Sequence, residues 1–244
     1  MPQLRGDSRA AHSDGVTGHG ATREWHALVI GVDRYPAFPL KQLSGCVNDA
    51  NAIRKFLVER VQVPEVNLRL LTSPRDASSD ARTTATAAHV RAEFAALKDR
   101  VKANDHVIVF YAGHGLLLKR GAAGGGTTAY YGFAPEDVAA DGAGYANLIL
   151  GSEVHGLLTA IESKGATATV IADTCHSGAS TRAIDTDVRE RSLQVDPLSD
   201  EQWRHFTEHH PALQGAAANT SRSAGEVVGP FGAYPGGDFV MLTG

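Results

Sequence analysis

With 244 residues, 43% of them hydrophobic, the chain can bury one full core but falls short of two full-sized domains. Its net charge of −4 and its lack of Lys and Arg runs give no reason to expect a nucleic acid or an anionic membrane as partner. Two cysteines, Cys46 and Cys175, cannot build a disulfide framework, and no stretch reaches the roughly 18 apolar residues of a membrane span. The expectation is a cytoplasmic protein with free thiols.

Residues 1–23 are rich in Gly, His, Ser, Asp and Arg without an apolar segment, and read as a disordered leader. Trp25–Val32 is a continuous apolar run ending in Asp33-Arg34-Tyr35-Pro36, the pattern of a buried strand entering a loop. Ala50, Ile53, Phe56 and Leu57 follow at helical spacing, with Asn48 or Asp49 suited to the N-terminus. Asn67–Leu71 is a second strand, residues 72–86 a Ser- and Thr-rich loop, and Val90, Phe94, Leu97 and Val101 mark an amphipathic helix.

Asp105–Tyr111 is a third strand, and Tyr130–Ala134 a short one after the loop at Gly121–Gly126. Ser152 is placed to cap a helix that turns Val154, Leu157, Leu158 and Ile161 inward and stops at Gly165. Ala168–Ala172 is the next strand. Residues 179–223 lose all periodicity and read as a functional loop or linker, and Asp238–Thr243 is a last strand. Strands alternating with helices predict an α/β fold, a mainly parallel sheet with helices on both faces.

Two peptides carry the chemistry. Phe110-Tyr-Ala-Gly-His-Gly115 and Ile171-Ala-Asp-Thr-Cys-His-Ser-Gly178 each break a buried strand into small, turn-prone residues, so each presents a reactive side chain at the end of the sheet. A thiol near an imidazole is the minimal cysteine-nucleophile pair, because the thiolate attacks and an imidazolium stabilises it. His176 points elsewhere if the chain there is extended, and His209-His210 has no ligand-spaced partner for zinc.

Tyr111-Ala-Gly-His-Gly115 followed by Asp173-Thr-Cys-His-Ser-Gly178 resembles the catalytic halves of the caspase-like cysteine peptidases, in particular the metacaspase and bacterial caspase-like branch. The resemblance runs roughly from Trp25 to Gly178. It implies a caspase-like sheet and a cysteine endopeptidase with His114 and Cys175 as its catalytic dyad. The backbone N–H groups of Gly115 and Cys175 would receive the oxyanion. Asp173 and Asp49 resemble the acidic pair of a pocket that selects Arg or Lys before the scissile bond; read alone, Asp49 is also a carboxylate favoured by a helix N-terminus. Ala112 stands where metacaspases often have Ser.

The same resemblance divides the chain into a large-subunit-like core at 24–178, a linker at 179–223 and the start of an incomplete small-subunit-like part at 224–244. Arg182, Arg189, Arg191 and Arg204 make the linker a candidate processing loop. The chemistry needs no cofactor. Calcium activates some members, but their paired-aspartate stretch is not evident near residues 150–153; Asp137, Asp141, Asp185 and Asp187 could gather a hard cation such as calcium through oxygen ligands, though they read more readily as solvated loop charges. The expected partners are protein substrates and an upstream activating protein, and several bacterial relatives act in antiviral defence or cell death. The rival readings are an Asp-specific protease, which needs a basic pocket the sequence does not offer, and a catalytically silent scaffold.

Overall fold

The computed structural model describes residues 23–76, 80–121, 127–141, 144–174, 192–193, 198–210 and 239–242. Residues 1–22 of the expected leader, and most of the linker, lie outside them. Five strands form the central sheet in the order β11-β9-β3-β1-β2, every neighbouring pair parallel. They are β1 (Trp25–Val32), β2 (Leu68–Ser73), β3 (His106–Ala112), β9 (Thr167–Asp173) and β11 (Phe239–Leu242). Residues 26–32 of β1 are all buried, as a central parallel strand covered on both faces requires.

The helices are α1 (Cys46–Phe56), α2 (Ala87–Arg100), α3 (Gly151–Glu162) and α4 (Asp200–His209). The chain moves outward from β1 to β2 and then back across β1 to β3, so right-handed crossovers put α1 and α2 on opposite faces. Side chains bear this out. A methyl on Gly31 would lie 2.6 Å from the Cys46 carbonyl oxygen of α1, whereas the neighbouring Ile30 lines a small apolar cavity with Val90 and Phe94 of α2. Arg91 of α2 clamps Glu153 of α3 at 2.6 and 3.0 Å and donates to the Leu148 carbonyl at 2.8 Å, so α2 and α3 hold together.

A second sheet branches off after β3. Its strands β4 (Gly115–Gly121), β5 (Thr127–Phe133) and β8 (Ile149–Leu150) are antiparallel, and the two-residue β10 (Ser192–Leu193) joins β4 in parallel. The hairpin of β6 (Ala139–Asp141) and β7 (Gly144–Ala146) stands beside it. Of these, sequence periodicity suggests only β5. Strands β6, β7, β8 and β10, of two or three residues each, are too short for a pattern, and β4, with seven, has none of the strict apolar alternation that would mark it.

Several local expectations are corrected. The N-cap of α1 is Gly45, and its free N–H groups are met from a distance by Asp33, which accepts from Cys46 N at 2.9 Å and from Val47 N at 3.3 Å. Phe56, assigned to the inner face of that helix, is 54% exposed because the last turn widens over Leu57–Val61 and rotates Leu57 inward instead. Helix α3 starts at Gly151, so Ser152 is not its cap; Glu153 reaches back to accept from Leu150 N at 3.0 Å. Gly165, with φ of 78°, does close that segment. The nominally irregular stretch 179–223 contains α4, begun by a Ser199–Gln202 capping box. Trp203 of α4 packs on Tyr130 at 4.6 Å and Phe206 stacks on His210 at 4.0 Å. Asp137, expected to be solvated, accepts from Ala87 N at 2.8 Å and helps begin α2.

Among the described residues no helix is long and apolar enough to cross a membrane.

Candidate active site

In the central sheet β1 leads outward to β2 while β3 leads the other way to β9, so the strand order reverses between β1 and β3. The crevice at the carboxyl ends of strands flanking such a reversal is where open α/β sheets bind ligands. The segments leaving it are 33–43 from β1, 113–115 from β3 and Thr174 onward from β9.

His114 is completely buried, and its peptide is fixed on both sides by tyrosine hydroxyls. Its N–H donates to the Tyr35 hydroxyl at 2.8 Å. Its carbonyl accepts from the Tyr111 hydroxyl at 2.9 Å and from Ala134 N at 3.0 Å. Burial pushes both phenols well above their ordinary range, so each stays protonated. The glycines beside His114 make room for this. A methyl at Gly113 would sit 2.6 Å from the Tyr111 hydroxyl, and one at Gly115 would sit 2.4 Å from that of Tyr131.

The imidazole is oriented as well. Nε2 lies 2.6 Å from the carbonyl oxygen of Lys41, in a short 3-10 turn over Pro39–Lys41. A carbonyl can only accept, so Nε2 carries the proton and Nδ1 is the basic nitrogen of the neutral ring. The Tyr35 ring lies against the imidazole with centroids 4.6 Å apart. Gln42 braces the turn: its Oε1 accepts from Tyr35 N at 2.9 Å, and its Nε2 donates to Tyr35 O at 2.7 Å and Phe38 O at 3.2 Å.

Cys175 and His176 lie outside the described residues. Thr174, fully buried, is the last residue before Cys175, and its hydroxyl is hydrogen-bonded to that of Tyr131. The strand ends bring the two motifs together: Ala112 registers with Asp173, and Gly113 N donates to Asp173 O at 3.4 Å.

The candidate pocket residues share one side of the sheet. Gly31, Ala112 and Asp173 lie in one row of register partners and therefore point to the same face, the one α1 covers. Asp49 sits in the first turn of α1, next to Ala50, whose Cβ would be 2.7 Å from a methyl on Gly31. Both carboxylates are half-buried. Among the described residues no cluster of three or more His, Cys, Asp or Glu gathers to hold a metal.

Sequence reading missed Tyr35, the Lys41 carbonyl, Gln42 and Tyr131. A backbone carbonyl leaves no residue-type signal, and the others sit in a loop or a short strand whose partners are set only by the fold.

Residues 25–184, which span both motifs, match the family described as metacaspase, peptidase C14 domain. Metacaspase-4 of Arabidopsis thaliana is 32% identical over 152 residues, covering 62% of this chain and 33% of the relative. Metacaspase-1 of Cryptococcus neoformans is 28% identical over 183 residues, covering 72% of this chain and 36% of the relative. The chain thus spans about a third of the length of these curated relatives. The fold is similar to the crystal structure of a Geobacter sulfurreducens protein, with a TM-score of 0.51 at 18% identity, over 79% of this chain and 65% of that one.

Proposed function

The chain belongs to the metacaspase family, and from that premise we propose that it is a cysteine endopeptidase cleaving protein substrates after Arg or Lys. The observation that carries the proposal is the fixed His114 imidazole, whose Nε2–H is held by the Lys41 carbonyl so that Nδ1 serves as base toward the thiol.

In this reading His114 Nδ1 takes the Cys175 proton and the thiolate attacks the scissile carbonyl carbon. The oxyanion is received by the N–H groups of Gly115 and Cys175, and the C–N bond breaks as the imidazolium gives its proton to the departing amine. Water, deprotonated by the same nitrogen, then hydrolyses the thioester. The chemistry uses no metal or cofactor. Asp173, at the end of β9, and Asp49, in the first turn of the helix covering the same face, supply the negative field that an Arg or Lys side chain neutralises. An Asp side chain would meet only repulsion there.

The linker is proposed to be a processing loop. Ser192–Leu193 pairs with Gly115–Leu116, which brings the segment after Cys175 back to the dyad. Of the four arginines, Arg204 lies in the capped helix α4, so cleavage is expected at Arg182, Arg189 or Arg191. Replacement of Cys175 by Ala should abolish hydrolysis of Arg peptides while thermal stability stays close to wild type. Turnover persisting in the purified variant would rule the mechanism out.

A further inference from the structure

Tyr131 stands on β5, in the branching sheet, yet it touches both segments of the dyad. Its ring is buried edge-on against Phe133, with centroids 5.7 Å apart at 88°, and Phe133 in turn stacks on Tyr111 at 4.3 Å. Held this way, the phenol reaches in two directions. On one side it lies over the Cα of Gly115, so close that a methyl there would meet the hydroxyl at 2.4 Å and the ring carbon Cζ at 3.0 Å. On the other its hydroxyl is hydrogen-bonded to that of Thr174.

The two contacts belong to different sheets. Gly115 opens β4 of the branching sheet, whereas Thr174 follows β9 of the central sheet, just past the point where its ladder with β3 ends at Asp173. Beyond that point the described hold on the chain leading to Cys175 is the Thr174 side chain. Both residues are buried, so breaking the pair removes a hydrogen bond from the interior.

We propose that the Tyr131–Thr174 hydroxyl pair is a positioning device that holds Thr174, the residue before Cys175, against Gly115, and so serves the N–H groups of Gly115 and Cys175. The inference rests on the peptidase reading, in which those two groups receive the oxyanion. Donor placement matters steeply, since loss of one such donor costs on the order of 10²–10³ in rate. Replacing Tyr131 by Phe keeps the ring on Gly115 and removes the tie to Thr174.

The test uses the full-length protein with Tyr131→Phe, Thr174→Val, Thr174→Ser and the double variant Tyr131→Phe/Thr174→Val. Three quantities are read: kcat and KM for an Arg peptide, inhibition by the matching peptide aldehyde, and the rate at which iodoacetamide alkylates Cys175. The aldehyde adduct is tetrahedral and needs the oxyanion donors, whereas alkylation needs only the thiolate. Tyr131→Phe and Thr174→Val should each lower kcat by roughly tenfold or more with KM within about twofold. Aldehyde affinity should fall in parallel, alkylation should not change, and Thr174→Ser should restore most of the rate. The double variant should be no worse than either single one, because both remove the same bond.

Unchanged kcat in Tyr131→Phe, multiplied losses in the double variant, or an equal fall in alkylation would each overturn the inference while leaving the peptidase reading intact. A wild-type protein without Cys175-dependent cleavage overturns both.

Discussion

The imidazole of His114 donates its Nε2–H to the carbonyl oxygen of Lys41 at 2.6 Å, which fixes the tautomer through a backbone atom rather than an acidic side chain. No substitution can delete that oxygen, so its influence has to be tested through whatever holds the turn in place.

Gln42 is that brace, with three hydrogen bonds to the backbone of Tyr35 and Phe38. Gln42→Ala should loosen the turn and lower kcat by roughly tenfold, with a smaller change in KM, because it disturbs base orientation rather than substrate contacts. Steady-state kinetics on an Arg peptide checks this. A variant with wild-type kcat would show that other contacts suffice to hold Lys41.

For specificity, a desolvated Arg forms charge-assisted hydrogen bonds worth about 1.5–3 kcal/mol each. Asp173→Asn should therefore cut kcat/KM for Arg peptides by roughly ten- to a hundredfold, and much less for a neutral residue at the same position. Asp49→Asn should act in the same direction. Matched fluorogenic peptides ending in Arg, Lys, Asp and Asn provide the measurement. Equal losses on all four, or a wild-type preference for Asp, would make the two carboxylates structural.

The central sheet was legible because its strands are long apolar runs: Trp25–Val32 is both the expected and the observed β1. The amphipathic helix α2 was equally clear, with Val90, Phe94 and Leu97 buried inside it and Val101 buried at its C-cap. What stayed hidden depends on distant partners. Asp33 caps a helix that begins thirteen positions later in the chain, so no local capping signal marks Cys46 as a start. Likewise the sequence singles out His114, but the hydroxyls that clamp its peptide come from Tyr35, in a loop, and Tyr111, which reads as one more core residue. Such roles emerge only when the strands align.

The Asp33 cap carries its own prediction. Asp33→Ala removes the acceptor of both Cys46 N and Val47 N and should cost about 1–2 kcal/mol of stability. Asp33→Asn, which keeps one carbonyl oxygen, should cost less. Urea unfolding of the two variants measures the difference; equal midpoints in both and in wild type would mean that α1 needs no remote cap.

Stability should also fall on the acid side in two stages. Burial pushes the His106 imidazole below its usual value, with the nearby Arg23 charge adding to the effect. A depressed folded pKa means that stabilisation is present above about pH 6.5 and is lost as pH drops through the folded value. Asp105 is subject to burial, which acts upward, but hydrogen bonds from Lys102 N, Glu24 N and His26 outweigh it and hold the carboxyl below its usual range. Its contribution is present above about pH 3.9 and disappears below. Melting temperature against pH should show both declines; Asp105→Asn should flatten the lower one and, by removing the carboxylate that acts to raise the His106 pKa, deepen the upper one.

The chain has two tryptophans, and the fold sends them to separate neighbourhoods. Trp25 begins β1 and stacks on His106 at 4.4 Å, whereas Trp203 sits in α4 against Tyr130 at 4.6 Å. Indole emission is therefore a built-in pair of optical reporters. Protonation of His106 beside Trp25 should quench one signal, and departure of α4 from Tyr130 should red-shift the other. Single Trp→Phe variants would separate events at the amino end of the sheet from docking of the helix that follows β10.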